Sequence, residues 1–378
     1  MKIIYLTNAQ NADDFKEYLR RWKVSPNLSN QNFHNKLIRA LSTKHDVLVI
    51  SVRSLNKNFD VDKLPREEKK ESNISWQYIE ASSSLIKKVL YTHKNIMKEL
   101  KDKVSKDDVI IVDTLSRTLL LEALRIKNKF GIRAFGVCTD NPYNISYVKK
   151  SYGDKQIKRA QKLDGYISLT EKIDELFNKE RKKSILIDGI TEQNKPDVFD
   201  KRIENDYLFF GGSLMRKYGV YNLIDAFNNL NYKDLKLVLC GHHEESDLKE
   251  IVEKNKNIIY LGAQNYDQVR NLESHALVCI NPRPKMDEID LYSIPSKTLE
   301  YLASGSLTIT TTNILLKERY NDAIIWADSG ESKDLVSAIL KALNMSKEER
   351  NKKISLSLKL IDKYTSFDVI ANKVEELF

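Results

Sequence analysis

A glycine-rich turn with two neighbouring cations stands in the second half of the chain. The apolar run YLFF ends in Gly211-Gly212-Ser213, and Arg216 and Lys217 follow before Gly219 opens a helical pattern. Glycines let a backbone approach a ligand closely, and cations beside a helix N-terminus favour a diphosphate. An ordinary turn between a strand and a helix would give the same pattern, so both interpretations stay open at this point.

A second segment, LYSIPSKTLEYLASGSLTIT (291–310), places a carboxylate one turn inside a predicted helix. Pro295 fits a helix first turn, where its missing N–H costs nothing. Ser296 and Glu300 are four residues apart and therefore share a face. We expect the free amides of this N-terminus, with Ser296 and Lys297, to bind phosphate oxygens, and Glu300 to accept hydrogen bonds from ribose hydroxyls. The alternative is a surface glutamate on an amphipathic helix.

The acidic pairs of the chain lack the spacing of a metal site. The segment DEID (287–290) does not have the DxD spacing of a common metal-binding pattern, and the aspartates at 107–108 precede their strand. We therefore expect no metal and no cofactor. Cations and a helix N-terminus can stabilise the charge of a departing diphosphate without a metal.

Three cysteines, Cys138, Cys240 and Cys279, lie far apart in apolar runs. They lack metal-ligand spacing, which favours buried, reduced thiols. The opening MKIIYLTNAQNADD has a short apolar stretch, which favours a first strand over a signal peptide, and no run reaches the length of a membrane span. These features predict a cytoplasmic protein.

Short apolar runs alternate with helical patterns along a chain of 378 residues, long enough for two domains. Unbroken runs of strand length are typical of a parallel sheet covered on both faces. In the first half the runs are 2–7, 46–52, 109–113, 134–140, 165–169 and 184–189. In the second half they are 207–212, 235–241, 258–263, 277–283, 307–312 and 324–329.

Two such alternations predict an α/β fold of two Rossmann-like, doubly wound domains that face each other across a cleft. We expect the first domain over 1–195, a polar linker over 196–206 and the second domain over 207–364. The closing helix, 365–378, is expected to pack back on the first domain. Ligands of such sheets bind outside the carboxyl ends of the strands, so the substrates are expected in the cleft.

Two helical stripes are predicted to cover the first sheet. One comprises His34, Leu37, Ile38 and Leu41, and the other comprises Ile86, Val89, Leu90, His93, Met97 and Leu100. Both histidines fall on apolar faces, which favours a structural histidine over a catalytic one.

The net charge of +9 is concentrated in the first half. Residues 1–190 hold 37 Lys and Arg against 24 Asp and Glu, whereas residues 191–378 hold 25 against 29. The basic stretches 17–24, 148–162 and 179–183 have Trp and Tyr interleaved, a mixture that favours docking on an anionic membrane surface. A solvated lysine-rich surface is the alternative. No signature of a nucleic-acid-binding module accompanies them, so a nucleic acid is not an expected partner.

Taken together and in this order, four segments resemble the donor domain of retaining GT-B glycosyltransferases of family 4. They are GGSLMRKYGVYNLIDAF, LKLVLCG, IIYLGA and PSKTLEYLASGSLTITT, and the resemblance covers residues 207–330. The first half resembles the acceptor domain of that family more loosely, through NAQ (8–10), the helix after QNF (31–33) and the turn CTDNP (138–142).

The resemblance implies roles for individual residues. Glu300 matches the glutamate that binds the donor ribose, and Arg216 and Lys217 match cations that neutralise the diphosphate. The turns after the second and third strands of the donor domain would flank the nucleobase. The further donor-binding residues expected are Gly212, Ser213, Gly241, Gly262, Ala263, Gln264, Tyr292, Ser293, Ile294, Pro295, Ser296 and Lys297.

The chain departs from the pattern of the family near the donor sugar. Tyr292 stands where the family often has a second glutamate, and Asp287, Glu288 and Asp290 are candidate substitutes. Ser213 replaces the usual arginine after the glycines. The lysine that normally adjoins the next glycine sits one place early.

In the first half, the turn that holds a histidine in many members of the family has Asp140. We expect Asp140 to act at the reaction centre together with Arg216 and Lys217. Asn8, Gln10 and Asn32 are expected to contact the acceptor.

These features predict a glycosyltransferase that moves a sugar from a nucleotide sugar, expected to be a UDP-sugar, to a glycan or lipid-linked acceptor of a surface polysaccharide. Its basic first domain would lie against the inner face of the membrane. Two alternatives stay open. A nucleotide-sugar epimerase could share the two-domain plan, although the sequence offers no strong acid and base candidates. A catalytically silent GT-B partner of another transferase is favoured by Tyr292.

Overall fold

The structure is a computed structural model that describes residues 1–22, 28–53, 69–80, 85–144, 150–192, 203–230, 232–243, 247–286 and 290–378. The chain divides into two compact units, the first formed by Met1–Ile190 with Thr365–Phe378 and the second by Thr191–Tyr364. The part of the expected linker up to residue 202 lies outside the described residues.

The first unit is built on a sheet with the order β3-β4-β2-β1-β5-β6-β7-β8. Its strands are β1 (Lys2–Thr7), β2 (Asp46–Arg53), β3 (Lys69–Glu71), β4 (Ile74–Glu80), β5 (Val109–Asp113), β6 (Arg133–Cys138), β7 (Gly165–Ser168) and β8 (Ser184–Leu186). Its helices are α1 (Ala12–Trp22), α2 (Leu28–Ser42), α3 (Leu85–Leu100), α4 (Arg117–Phe130), α5 (Lys150–Ala160), α6 (Glu171–Phe177) and the last helix of the chain, α14 (Phe367–Glu375).

The second unit is built on a sheet with the order β11-β10-β9-β12-β13-β14. Its strands are β9 (Tyr207–Gly211), β10 (Lys236–Cys240), β11 (Ile258–Tyr260), β12 (Val278–Asn281), β13 (Leu307–Thr311) and β14 (Ile325–Ala327). Its helices are α7 (Val220–Asn228), α8 (Leu248–Glu253), α9 (Tyr266–His275), α10 (Ser296–Ser304), α11 (Ile314–Tyr320), α12 (Ser332–Leu343) and α13 (Lys347–Thr365).

Both sheets follow the same winding. Each begins in a central strand, β1 or β9, adds strands on one side, and then crosses to build the other side. Within the described part of the chain, all neighbouring strands are parallel except β3 and β4. Strands such as β5 and β9 are buried along their whole length, because helices cover both faces. The prediction of two Rossmann-like, doubly wound α/β domains is therefore confirmed.

The last helix packs on the first sheet. Ile370 and Val374 of α14 are buried in the same apolar cluster as Leu37 and Ile38 of α2. At the rim, Lys44 Nζ lies 2.5 Å from a carboxylate oxygen of Glu375.

One hairpin of the first sheet was missed by the sequence analysis, and the apolar stripe predicted for α3 is wrong at Leu90. β4 alternates buried Ile74, Trp76 and Tyr78 with more exposed residues, so the search for unbroken apolar runs passed over it. In α3, Leu90 is 69% exposed. The described part of that helix buries Leu100, as predicted, together with Thr92 and Ile96. The side chains of the predicted Ile86 and Val89 lie outside the described residues.

Three successive turns of the second unit are joined by backbone hydrogen bonds. The amide of Gly212 donates to Cys240 O, and the amide of Gly241 donates to Gly262 O, both at 2.9 Å. Gly241 has φ +140°, and a Cβ atom there would lie 1.6 Å from Gly212 O. The turns after β9, β10 and β11 can therefore stack this closely because position 241 has no side chain.

We predict that Gly241→Ala destabilises the second unit by more than about 3 kcal/mol, because the backbone must shift to admit the methyl group. Gly262→Ala is the matched control. Its φ is +66° and its Cβ would meet open space, so it should cost about 1–2 kcal/mol. Urea unfolding followed by circular dichroism measures both. Equal losses for the two variants would contradict the stacking argument.

Candidate functional site

The reversal of winding creates a notch at the carboxyl edge of the second sheet. The chain leaves β9 through Gly212 and Ser213 toward one side, and β12, the neighbour of β9, sends the chain to the other side. Connections diverge at this point, which leaves room outside the strand ends for a ligand. The helix that enters this notch is α10.

The helix α10 is tied to both strands that flank the notch. The hydroxyl oxygen of Tyr301, which is fully buried, accepts the amide of Gly211 at 3.1 Å. The side chain of Asn281, the last residue of β12, donates to Thr298 Oγ1 at 3.0 Å. Two buried polar contacts therefore fix the first turns of α10 against β9 and β12.

The start of α10 presents amides, a cation and a carboxylate together. Its N-cap residue is Pro295, and no side chain caps this terminus. Lys297 Nζ lies 3.2 Å from Glu300 Oε2, and the two side chains are 35% and 14% exposed. A Cβ atom added to Gly212 would lie 3.9 Å from Lys297 Cε, so the lysine stem runs beside the turn after β9.

The charge of a second carboxylate, Glu273, also affects the pKa of Lys297. Glu273 of α9 is 1% exposed. Although burial disfavours the charged lysine, the carboxylates of Glu300 and Glu273 raise the pKa of Lys297 above its ordinary value. The ammonium is therefore kept charged at the mouth of α10.

The predicted cations Arg216 and Lys217 lie on a short 3-10 turn, Arg216–Tyr218, after the glycines. Arg216 pairs with Asp247, and its guanidinium stacks 3.8 Å from the ring centroid of Tyr221. The hydroxyl of Tyr221 donates to Asp247 at 2.7 Å. Lys217 is exposed. The structure thus gives Arg216 a neighbouring carboxylate and places both cations on the connection that leaves β9.

The turns predicted to flank a nucleobase lie along the same edge. Gly241 follows β10, and the hydroxyl of Tyr260 donates to its carbonyl at 3.0 Å. Gly262, with φ +66°, and the exposed Ala263 follow β11. The side-chain amide of Gln264 donates to Leu261 O at 2.6 Å, which fixes that turn.

The segment before α10 carries the other predicted donor residues. Tyr292, Ser293 and Ile294 are half-buried, and Ser296 is exposed. Asp290 is 7% exposed, and its carboxylate accepts the amide of Met286 at 3.1 Å. The other two candidate substitutes, Asp287 and Glu288, lie outside the described residues.

The residues predicted in the first unit occupy two places. Asn8 and Gln10 follow β1, and the exposed Asp140 follows β6, so both groups lie at the carboxyl edge of that sheet. The side-chain amide of Gln31 forms two hydrogen bonds with the backbone of Gln10: it accepts the Gln10 amide and donates to the Gln10 carbonyl. Asn32 lies on the exposed side of α2.

The two histidines singled out by their helical spacing have structural partners. His34 is fully buried, with Nδ1 2.6 Å from the hydroxyl of Tyr5. Nδ1 of His93 lies 2.6 Å from Oε2 of Glu122. Both contacts agree with the expected structural role.

Glu273 was missed by the sequence analysis. It follows Leu272 and precedes Ala276 on the buried side of α9. An acidic residue on an apolar helix face was the available signal, because a buried carboxylate needs compensating charge.

No group of three or more His, Cys, Asp or Glu able to hold a metal ion occurs among the residues that the structure describes. Across the same residues, none of the helices has the length and hydropathy of a membrane span.

Comparison with known families and structures identifies the fold. Residues 191–355 match the family model of Glycosyl transferases group 1. A search of curated protein sequences finds no match. Among solved structures, a trehalose-6-phosphate synthase studied for glycosyl transfer with retention superposes with a TM-score of 0.69, at 12% identity over 99% of this chain and 98% of that chain.

Two further solved structures are similar over the full chain. Sucrose-phosphate synthase from Thermosynechococcus elongatus has a TM-score of 0.70, at 12% identity over 100% of this chain and 98% of that chain. Anabaena HepE in complex with UDP has a TM-score of 0.68, at 12% identity over 100% and 99%. The fold is GT-B, and the family match indicates that the protein is a glycosyltransferase.

Proposed function

We propose that the protein transfers a sugar from a UDP-sugar to a glycan or lipid-linked acceptor, without a metal and with retention at the anomeric carbon. The observation that carries this proposal is the Lys297–Glu300 pair at the uncapped start of α10, beside Gly212. The choice of UDP as the nucleotide is supported by a structural neighbour that was solved with UDP. Another was studied for transfer with retention.

The leaving group of such a reaction is a nucleoside diphosphate, whose β-phosphate gains negative charge as the bond to the sugar breaks. The amides of Ser296 and Lys297 and the ammonium of Lys297 would face that charge. Their positions are set before the reaction, so little reorganisation is needed when the charge develops. Glu300 would accept hydrogen bonds from the ribose hydroxyls.

The remaining donor residues are assigned to the same ligand. Gly212 and Ser213 would lie against the diphosphate, and Gly241 and Gly262–Gln264 against the base. Asp140 of the first unit is proposed to act at the reaction centre, and Asn8, Gln10 and Asn32 on the acceptor. The family 4 assignment and a role in surface-polysaccharide synthesis belong to this proposal. They are supported by the resemblance of residues 207–330.

A membrane-associated acceptor is favoured by the surface of the first unit. Leu90 and Tyr91 of α3 are 69% and 49% exposed, and the exposed Lys94 and Lys98 follow on the same helix. Large apolar side chains beside lysines are typical of docking on anionic lipid. We place the protein in the cytoplasm, on the inner face of the membrane. Three free, buried cysteines are consistent with a reducing compartment.

We predict that Glu300→Gln weakens UDP binding about tenfold or more, because a charge-assisted hydrogen bond to the ribose is lost. Calorimetric titration with UDP measures this change, and thermal unfolding checks that the variant is folded. Glu318→Gln, an exposed glutamate on α11, is the matched control and should bind UDP like the wild type. Unchanged affinity in Glu300→Gln would contradict the assignment.

We predict that Arg216→Ala combined with Lys217→Ala lowers UDP release from a UDP-sugar at least about tenfold, because two cations near the diphosphate are removed. EDTA should change the wild-type rate less than about twofold. Lys347→Ala with Lys352→Ala removes the same charge from α13 as a control. Activity that disappears with EDTA would overturn metal independence, and UDP binding without turnover under any acceptor would favour a silent partner.

We predict that the protein sediments with vesicles that contain anionic lipid and not with neutral vesicles. Leu90→Ser combined with Tyr91→Ser should reduce the bound fraction about fivefold, since the apolar contact is lost. Tyr232→Ser, which changes a 42% exposed tyrosine of the second unit, should leave binding unchanged. Equal binding to neutral vesicles would argue against docking by charge.

A further inference from the structure

A cavity of about 220 Å³ opens in the first unit. It is lined by Asn8, which follows β1, by Arg53, which ends β2, and by Leu115 and Ser116, which follow β5. In this sheet β1 and β5 are the neighbours at which the winding reverses. The cavity therefore occupies the place where a doubly wound sheet binds its ligand.

The size of the cavity limits what it encloses. Pockets that surround a whole drug-sized ligand have volumes of roughly 300–1,000 Å³. A space of about 220 Å³ matches one polar group of a larger molecule better than a whole ligand. The lining residues indicate the chemical type of that group.

Two arginines line the cavity, and its described lining residues include no carboxylate. Arg53 is 1% exposed, and its guanidinium lies 4.3 Å from the ring centroid of Tyr78. Arg117 is exposed, and within the part of the chain that the structure describes no carboxylate forms an ion pair with it. The planar guanidinium matches phosphate oxygens in a two-point contact.

The cavity also receives the N-terminus of α4, a helix of 14 residues. Its N-cap residue, Ser116, makes no side-chain cap, and the Ser116 hydroxyl contacts Asn8 Oδ1 at 3.4 Å instead. The amides of the first turn therefore add to the positive potential of the two arginines.

Asp113, the carboxylate that precedes this turn, is bound by other residues of the first unit and does not line the cavity. Asp113 accepts the amide of Leu115 at 2.9 Å and the side chain of Asn30 at 3.2 Å, and it lies 3.6 Å from Nε2 of His34. It is 5% exposed and is not a lining residue of the cavity. Its charge is engaged inside the unit.

We propose that this cavity binds a phosphate group of the acceptor, with Arg53, Arg117 and the first turn of α4 as its ligands. The inference rests on the proposed sugar transfer and gives its acceptor a chemical class. The acceptor carries a phosphate, either in a lipid-linked diphosphate or in a soluble sugar phosphate.

The binding test uses inorganic phosphate and the full chain, with UDP present at saturation so that the donor site is filled. Titration calorimetry at constant ionic strength should show phosphate binding by the wild type and a loss of at least tenfold in Arg117→Ala. Arg117→Lys and Arg53→Lys keep the charge but lose the planar fork, so they should bind with intermediate affinity. Arg133→Ala, at the opposite edge of the same sheet, should bind like the wild type.

Three results would overturn the proposal. They are wild-type phosphate affinity in Arg117→Ala, equal competition by acetate at the same concentration, and no phosphate binding by the wild type. Wild-type binding of UDP, measured first and alone, tests the donor site separately. If the wild type does not bind UDP, the proposed function is wrong. The titration with inorganic phosphate then still decides whether the cavity binds phosphate.

An acceptor assay distinguishes the two sources of phosphate. The wild type and Arg117→Ala receive UDP-sugar with either a polyprenyl diphosphate sugar in phosphatidylcholine vesicles or a soluble sugar phosphate. For the acceptor that is used, Arg117→Ala should raise KM at least tenfold and change kcat little. Transfer to phosphate-free sugars with the same KM in both proteins would overturn the proposal.

Discussion

A parallel sheet that is covered by helices on both faces leaves its strand ends as the place for polar chemistry. The central strands β5 and β9 are buried along their whole length, and their backbones are used in the hydrogen-bond ladders of the sheets. The notch between diverging connections then collects the loops, the helix N-termini and the charged side chains. Both units obey this constraint, with β9 and β12 flanking one notch and β1 and β5 flanking the other.

In the notch between β9 and β12, the positive charge of Lys297 is compensated by carboxylates of the protein itself. Lys297 contacts the carboxylate of Glu300, and the charges of Glu300 and Glu273 together outweigh the effect of burial on its pKa. A buried cation without such partners would lose its proton or leave the site. The arrangement therefore keeps a positive charge beside Gly212, while Glu300 is the residue proposed to bind a ribose hydroxyl.

The sequence was sufficient for the strands that form continuous apolar runs, because burial on both faces removes polar residues from them. It was insufficient for β4, whose polar residues alternate with Ile74, Trp76 and Tyr78. It was also insufficient for α3, where Leu90 continues an apolar stripe but faces outward. The exposure of Leu90 depends on what packs against the helix, which spacing alone does not encode.

For the candidate site, the sequence located the helix start and the pair Lys297 and Glu300, because Pro295 and the spacing of Ser296 and Glu300 are local signals. It could not find Glu273, whose charge acts on Lys297 from a different helix, or the ion pair of Arg216 with Asp247, 31 residues away. Arg53 and Arg117 were missed for the same reason. They belong to a strand end and a helix start that meet through the winding of the sheet.

The central claim is that the spent nucleotide rests at the mouth of α10. A crystal structure of the protein with UDP measures this directly. We expect oxygens of the β-phosphate to lie about 3 Å from the amides of Ser296 or Lys297 or from Lys297 Nζ, with a ribose hydroxyl at the same distance from Glu300. UDP bound elsewhere on the second unit, with no contact to Lys297 or Glu300, would contradict this claim.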